Sequence, residues 1–358
     1  MAPLVKPDIL TIEGNASCQL RCPTCPTTSE GYPPVVGSGY LKFEDFRKLL
    51  DDNPDIQELR LESRGELFLN PDLLQILEYG FEKNVLMTNT SGVNLNTIKE
   101  EVMEGLVKYG FRHLLCSLDG ASPDVYSIYR IGGDFNRVVG NIERINHYKE
   151  LYHSEYPHLT WQFIVFGHNE HELPLAKRMA EALQMSFIPK MSWDSDFSPI
   201  QDRAFVITET GWPAVTREEF VESTGQHYMR NVCYALWQSP RINWNGKLLG
   251  CCWNSWGDFG ANVFREGFIP SVNNEKINYA RTQLLGEAGP REDIPCTTCD
   301  LYMQMRQRGT YLSLEEIIAK KAVQERMQEI LEKYPVIYHL CRFAYRCSGL
   351  KKALTKNT

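Results

Sequence analysis

The sequence has no apolar run near the roughly 20 residues that a membrane helix needs, so a helical span is excluded. It has no surplus of positive charge: 38 Lys and Arg against 45 Asp and Glu leave a net charge of -7, and nucleic acid is not expected as a partner. It has no export signal, because Met1 to Lys6 leads at once into a strand-like run. Cysteine, by contrast, is plentiful. Eleven cysteines without an export signal argue against a disulfide scaffold and for metal ligation in a reducing cytoplasm. A chain of 358 residues, 43% of them hydrophobic, has enough material for two domains or one elaborated barrel.

Three of the cysteines stand close together. After the apolar run Ile9-Leu10-Thr11-Ile12 come Cys18, Cys22 and Cys25, on a C-x3-C-x2-C spacing. Thiolates so spaced on one loop can wrap a single soft metal centre. Three ligands are one short of the set a four-iron cluster takes, which leaves one iron open for a substrate or cofactor. A zinc site drawing its fourth ligand from a distant segment satisfies the same spacing.

From residue 8 to about 192, strand and helix patterns alternate. Strands are expected over Ile9–Glu13, Glu58–Glu62, Val85–Thr88, His113–Leu118, Trp161–Phe166 and Met185–Pro189. Helices are expected over Phe43–Asp52, Pro71–Lys83, Leu95–Tyr109, Pro123–Tyr129, Phe135–Tyr152 and Glu170–Leu183. Six β/α units in order imply a parallel sheet with helices outside, too few to close an eight-stranded barrel. Ligands of such sheets sit at the carboxyl ends of the strands, where the cysteine loop falls. The β/α rhythm then stops. Asn245-Gly246 between apolar-alternating flanks marks a hairpin ending at Cys251 and Cys252. Cys233 lies before it, and Cys296 and Cys299 form a C-x2-C knuckle beyond it. Cys233, Cys251, Cys296 and Cys299 are a full ligand set for a structural zinc or a fully coordinated iron–sulfur cluster.

C-x3-C-x2-C at the end of a first strand resembles the signature of the radical S-adenosylmethionine (SAM) enzymes. The resemblance implies a (β/α)6 partial TIM barrel with Cys18, Cys22 and Cys25 holding a 4Fe-4S cluster. SAM chelates the open iron and is cleaved to a radical that takes hydrogen from the substrate. Glu62-Ser63-Arg64-Gly65-Glu66 resembles the Gly-Gly-Glu motif that holds the SAM amino group, with Arg64 in place of the first glycine. Cys116-Ser117-Leu118-Asp119-Gly120 resembles the Ser-x-Asp strand, which puts Ser117 and Asp119 on one face toward the SAM ribose or the substrate. By the same resemblance Arg130, before Gly132-Gly133, pairs with the SAM carboxylate. Thr88-Asn89-Thr90 and His168-Asn169 also stand at strand ends, and Lys190, Asp194 and Asp196 lie near the sixth. The later cysteines, with the Gly260-Ala261-Asn262-Val263 turn, resemble the twitch domain, the shortened form of the SPASM domain, which holds one auxiliary 4Fe-4S cluster. No cysteine falls in Leu301 to Arg308, so a second auxiliary cluster is not expected.

The expected organisation is a barrel over 1–200, a small twitch (SPASM-like) β-hairpin and helix domain over 201–310, and a C-terminal helical extension over 311–358. The extension opens on the capping box Ser313-Leu314-Glu315-Glu316 and runs into a basic aromatic tail holding Cys341 and Cys347, which offers a membrane contact. The reaction expected first is dehydrogenation of a hydroxyl-bearing carbon in a small carbohydrate, cyclitol or glycan-linked substrate, fed by an electron donor such as flavodoxin or ferredoxin. The alternatives are epimerisation with Cys252 as hydrogen donor, modification of a peptide, and a zinc-stabilised binding protein with no turnover. Only 17 residues precede Cys18, less than the leader-binding module that peptide maturases of this type usually carry.

Overall fold

The computed structural model describes residues 4–7, 9–29, 31 and 33–319. The basic tail, Cys341, Cys347 and most of the helix expected after Ser313 lie outside the described residues. The capping contact itself is present, with the Glu316 N–H donating to Ser313 Oγ at 3.1 Å.

Six parallel strands carry the first half of the chain. They are β1 Ile9–Asn15, β2 Glu58–Ser63, β3 Leu86–Val93, β4 His113–Ser117, β5 His158–Val165 and β6 Met185–Met191. Between them run α1 Phe43–Asp51, α2 Leu73–Glu82, α3 Glu100–Lys108, α4 Pro123–Tyr129, α5 Phe135–Leu151 and α6 Leu173–Ala182. Each helix lays an apolar stripe on the sheet; α5 buries Val138, Ile142 and Ile145 at three- and four-residue steps. Both faces of the strands are covered, as a parallel sheet requires.

The hairpin does not form a sheet of its own. The strands run in the order β6-β5-β4-β3-β2-β1-β7-β8. Here β7, Arg241–Ile242, pairs parallel to β1, and β8, Leu248–Gly250, pairs antiparallel to β7. The expected boundary between barrel and twitch domain is therefore bridged by backbone ladder bonds, and the hairpin extends the barrel's first edge. The reason is that β1 would otherwise be an edge strand with unpaired backbone groups. Side chains seal the join: Asn243 Nδ2 and Trp244 Nε1 both donate to the Val36 carbonyl, at 2.8 and 3.0 Å. Before the hairpin lie α7 Arg203–Thr210 and α8 Arg217–Thr224, and beyond it α9 Glu275–Leu284 and α10 Asp300–Arg308. Among the described residues no helix is long and apolar enough to cross a membrane.

Candidate active site

The inward face of the sheet turns polar at the carboxyl ends of its strands. Glu13, Glu62, Asn89, Ser117 and Gln162 are all buried there. A buried carboxylate is costly unless paired. Glu13 takes the Arg241 Nε at 2.7 Å and the Arg64 backbone N–H at 2.9 Å. Glu62 accepts from the Thr90 N–H at 3.0 Å and the Thr90 hydroxyl at 2.6 Å. Glu13 and Glu62 are thus spent on structure, and they fix the loops after β2 and β3.

The cysteine loop leaves β1 and is clamped by the loop after β2. Asn15 Nδ2 donates to the carbonyls of Ser17 and Glu66, at 2.9 and 2.7 Å, and the Glu66 N–H donates to Ser17 O at 2.7 Å. Gly65 lies in this clamp. A Cβ there would come within 2.1 Å of Ser17 O, so only glycine allows the two loops to touch. Cys18, Cys22 and Cys25 then line a single cavity with Gly65, Glu66, Ser117 and Arg130.

The sulfurs receive donors from distant strands. Asn94 Nδ2 reaches Cys18 Sγ at 3.8 Å, and Arg130 Nη1 reaches Cys22 Sγ at 3.7 Å. Burial nonetheless pushes the Cys18 thiol up to about 12, with Glu66, Cys22 and Cys25 adding to the rise and the Leu20 backbone opposing it. Burial raises Cys22 too, against the pull of Arg130. Thiolates crowded in a buried pocket call for a cationic metal centre to hold them. The three thiols, the donors aimed at them and the glycine cradle fit an iron–sulfur cluster. Among the described residues no three His, Cys, Asp or Glu side chains close to the geometry of one metal ion. A four-iron cluster makes no such demand, since each thiolate binds a different iron.

The remaining motif residues divide. Ser117 lines the cavity and accepts from Gln162 Nε2 at 3.2 Å, while Gln162 Oε1 is buried without a partner. Glu66 lines it too, with burial pushing its carboxyl up to about 7 against the N–H groups of Asn94 and Phe68. Asp119 does not share the cavity wall with Ser117, contrary to the alternation of the strand. The chain leaves β4 at Ser117, and Asp119 turns fully into the protein, where it accepts from Arg130 Nε at 2.6 Å and the Ile164 N–H at 2.6 Å. Its role is to hold Arg130. Cys252 is also away from the cavity: it is exposed, and its carbonyl accepts from Arg64 Nη2 at 2.9 Å. Asn89, His168 and Asn169 are structural, with Asn169 Nδ2 tied to the carbonyls of Asp119 and Ile164. Lys190 lines the cavity, whereas Asp194 caps its own loop by accepting the N–H groups of Asp196 and Phe197.

Cavity residues absent from the sequence reading include Asn94, Gln162 and Arg217. Asn94 was missed because β3 runs on to Val93 through a register shift after Asn89, with Gly92 at φ +89°; the Ser91-Gly92 pair was the available signal. Arg217 lies in a segment that reads as linker, with no motif around it.

The second cysteine group also assembles. Cys251, Cys296 and Cys299 each raise the Cys233 thiol through space, and Cys251 and Cys299 raise that of Cys296, although the four span 67 positions of chain, from 233 to 299. Burial is the largest cause in each case. Backbone N–H groups oppose it, those of Asn254 and Trp253 at Cys251 and those of Tyr302 and Leu301 at Cys299, where α10 begins. Four neighbouring thiols, two of them receiving backbone N–H groups, fit a fully ligated cluster.

By sequence the chain matches no family model and no curated protein. By structure it is similar to SuiB of Streptococcus suis, with a TM-score of 0.56 at 14% identity over 83% of this chain and 71% of that one. It is similar to SuiB bound to its precursor peptide SuiA, with a TM-score of 0.57 at 13% identity over 83% and 70%. It is similar to anSMEcpe with bound AdoMet, with a TM-score of 0.53 at 15% identity over 82% and 87%. The chain therefore shares its fold, a partial barrel of six parallel β/α units, with SuiB and anSMEcpe.

Proposed function

We propose that the chain is a radical SAM oxidoreductase that dehydrogenates a hydroxyl-bearing carbon in a small substrate. One observation carries the reading: Cys18, Cys22 and Cys25 line the same cavity as Gly65, Glu66, Ser117 and Arg130, at the carboxyl ends of a (β/α)6 sheet. Cys18, Cys22 and Cys25 would hold a 4Fe-4S cluster, and Cys233, Cys251, Cys296 and Cys299 an auxiliary one in a twitch-like segment. Bound there, cluster and SAM supply hydrogen-atom abstraction from a C–H bond, and the auxiliary cluster supplies a one-electron acceptor.

The protein's own groups prepare the site. Asp119 locks Arg130 by two contacts of 2.5–2.6 Å, which presents the guanidinium to the SAM carboxylate with little entropy left to lose. Ser117 and Gln162 offer a hydroxyl and an open carbonyl oxygen to the ribose. Glu66, ionised once a cation arrives, faces the SAM ammonium. Arg64 replaces a glycine and spans the two regions, donating from the cavity wall to the carbonyls of Cys252 and Asn254. That link favours a reaction in which both cysteine groups take part. Epimerisation loses its expected donor, because Cys252 is exposed and outside the cavity. A flavodoxin or ferredoxin as electron donor, and the reducing cytoplasm, belong to the same reading.

A peptide substrate is the second reading, since SuiB is known with its precursor peptide and anSMEcpe with the Cp18Cys peptide. The test is anaerobic incubation of reconstituted protein with SAM and dithionite, with sugars, cyclitols or peptides added. Substrate-dependent 5′-deoxyadenosine with a sugar or cyclitol product two hydrogens lighter is the expected result. Its absence from protein carrying about eight irons, about four per cluster, overturns the proposal.

A further inference from the structure

The cavity wall carries three guanidinium groups, and two of them are ion-paired inside the protein. Arg130 is paired with Asp119, and Arg64 with Glu13. Arg217 differs: among the described residues it makes no ion pair, and its buried Nε, like that of Arg64, has no hydrogen-bond acceptor. It is the first residue of α8, Arg217–Thr224, and only its Nη2 is used, donating to Met191 O at 3.1 Å at the end of β6. Aromatic rings hold it in place, with Tyr228 at 4.8 Å and Trp193 at 6.0 Å from its guanidinium carbon. Trp193 in turn donates from Nε1 to Thr24 O at 3.0 Å, inside the cysteine loop. Lys190 lines the same cavity. A guanidinium partly removed from water, held between rings and lacking a carboxylate, has its strongest unmet demand for a planar or tetrahedral oxyanion.

We propose that Arg217, with Lys190, is the substrate-anchoring site of this cavity, and that the substrate carries an oxyanion, either a carboxylate or a phosphate monoester. The inference rests on the cavity being a radical SAM active site and names its substrate class: an acidic or phosphorylated hydroxyl compound instead of a neutral one. Arg130 keeps the SAM carboxylate, because Asp119 fixes it beside Cys22, whereas Arg217 stands beside Trp193 and Tyr228.

The test uses reconstituted, SAM-loaded, unreduced protein at constant ionic strength, so that no turnover occurs. Inorganic phosphate is followed by the broadening of its phosphorus NMR line, and carbon-labelled acetate by that of its carboxyl resonance. The unaltered protein is expected to broaden one of them saturably, and the one it broadens assigns the oxyanion. Arg217→Gln should weaken that binding at least about tenfold, roughly what one charge-assisted contact contributes, and Arg217→Lys should restore part of it. SAM affinity should stay within about twofold in both variants, which also reports an intact fold. Equal anion binding by Arg217→Gln, or no saturable binding of either anion to the unaltered protein, overturns the inference. So does a loss in Arg217→Gln confined to SAM. Arg217-dependent anion binding by protein that fails to bind SAM sustains the anion site and overturns the proposed function instead.

Discussion

The two cysteine groups are built in opposite ways. Cys18, Cys22 and Cys25 come from eight consecutive positions and face a cavity, and beside local contacts from the Leu20 backbone and the Thr27 hydroxyl their sulfurs receive the side chains of Asn94 and Arg130, brought in from other β/α units. Cys233, Cys251, Cys296 and Cys299 come from four separated points, and the donors opposing their burial at Cys251 and Cys299 are backbone N–H groups of their own neighbours. The first group has thiols local in sequence and surroundings assembled by the fold; the second has thiols assembled by the fold and surroundings local in sequence. A centre that must admit a cofactor needs an open wall and adjustable side chains. A centre that only receives an electron is best closed and rigid.

Substitutions should separate the two roles. The largest effect on turnover is expected from Cys18→Ala: deoxyadenosine formation falls to background, while about four of about eight irons remain. Thermal stability changes little, because Cys18 is only half-buried. Cys299→Ala should do the reverse for stability. It empties a buried ligand position in the core, so about four irons are lost and the melting temperature falls by roughly 3 °C, the shift for about 2 kcal/mol in a chain of this length. Equal stability of the two variants breaks the comparison.

Gly65→Ala tests the cradle. Its Cβ clashes with Ser17 O, so the cysteine loop must move, and turnover is expected to drop about 100-fold with iron content retained. Asp119→Asn keeps an acceptor for Arg130 but removes its charge partner, and SAM affinity should weaken by about tenfold or more.

The smallest effect is a pH slope. Glu66 rises from 4.5 to about 7 on burial, so in the cluster-free, SAM-free protein the neutral acid is favoured by folding. The sign follows: this contribution is full below about 4.5 and is lost as pH climbs to about 7. Glu66→Gln should flatten the fall of melting temperature across that window. Variants in the second cysteine group should leave the slope unchanged.

Helix-period stripes such as Val138, Ile142 and Ile145 marked the elements, and the six barrel strands lie where apolar runs place them. Contiguous motifs survived best: Gly65 and Ser117 stand on the cavity wall beside the cysteine loop. Departures came where the chain bends out of regular structure. Asp119 lies two residues beyond β4, so alternation no longer governs its direction, and Asn94 sits past a bulge that lengthens β3.

By itself the sequence determined the β/α order and the three-cysteine loop, because both are written in local spacing and periodicity. Only the tertiary structure decided that the hairpin joins β1, that Asp119 serves Arg130, that Cys252 lies outside the cavity lining and that Arg217 lines it with no ion pair among the described residues. Those outcomes depend on which distant groups meet in space, and pairing across 50 to 230 positions leaves no periodic trace in the chain.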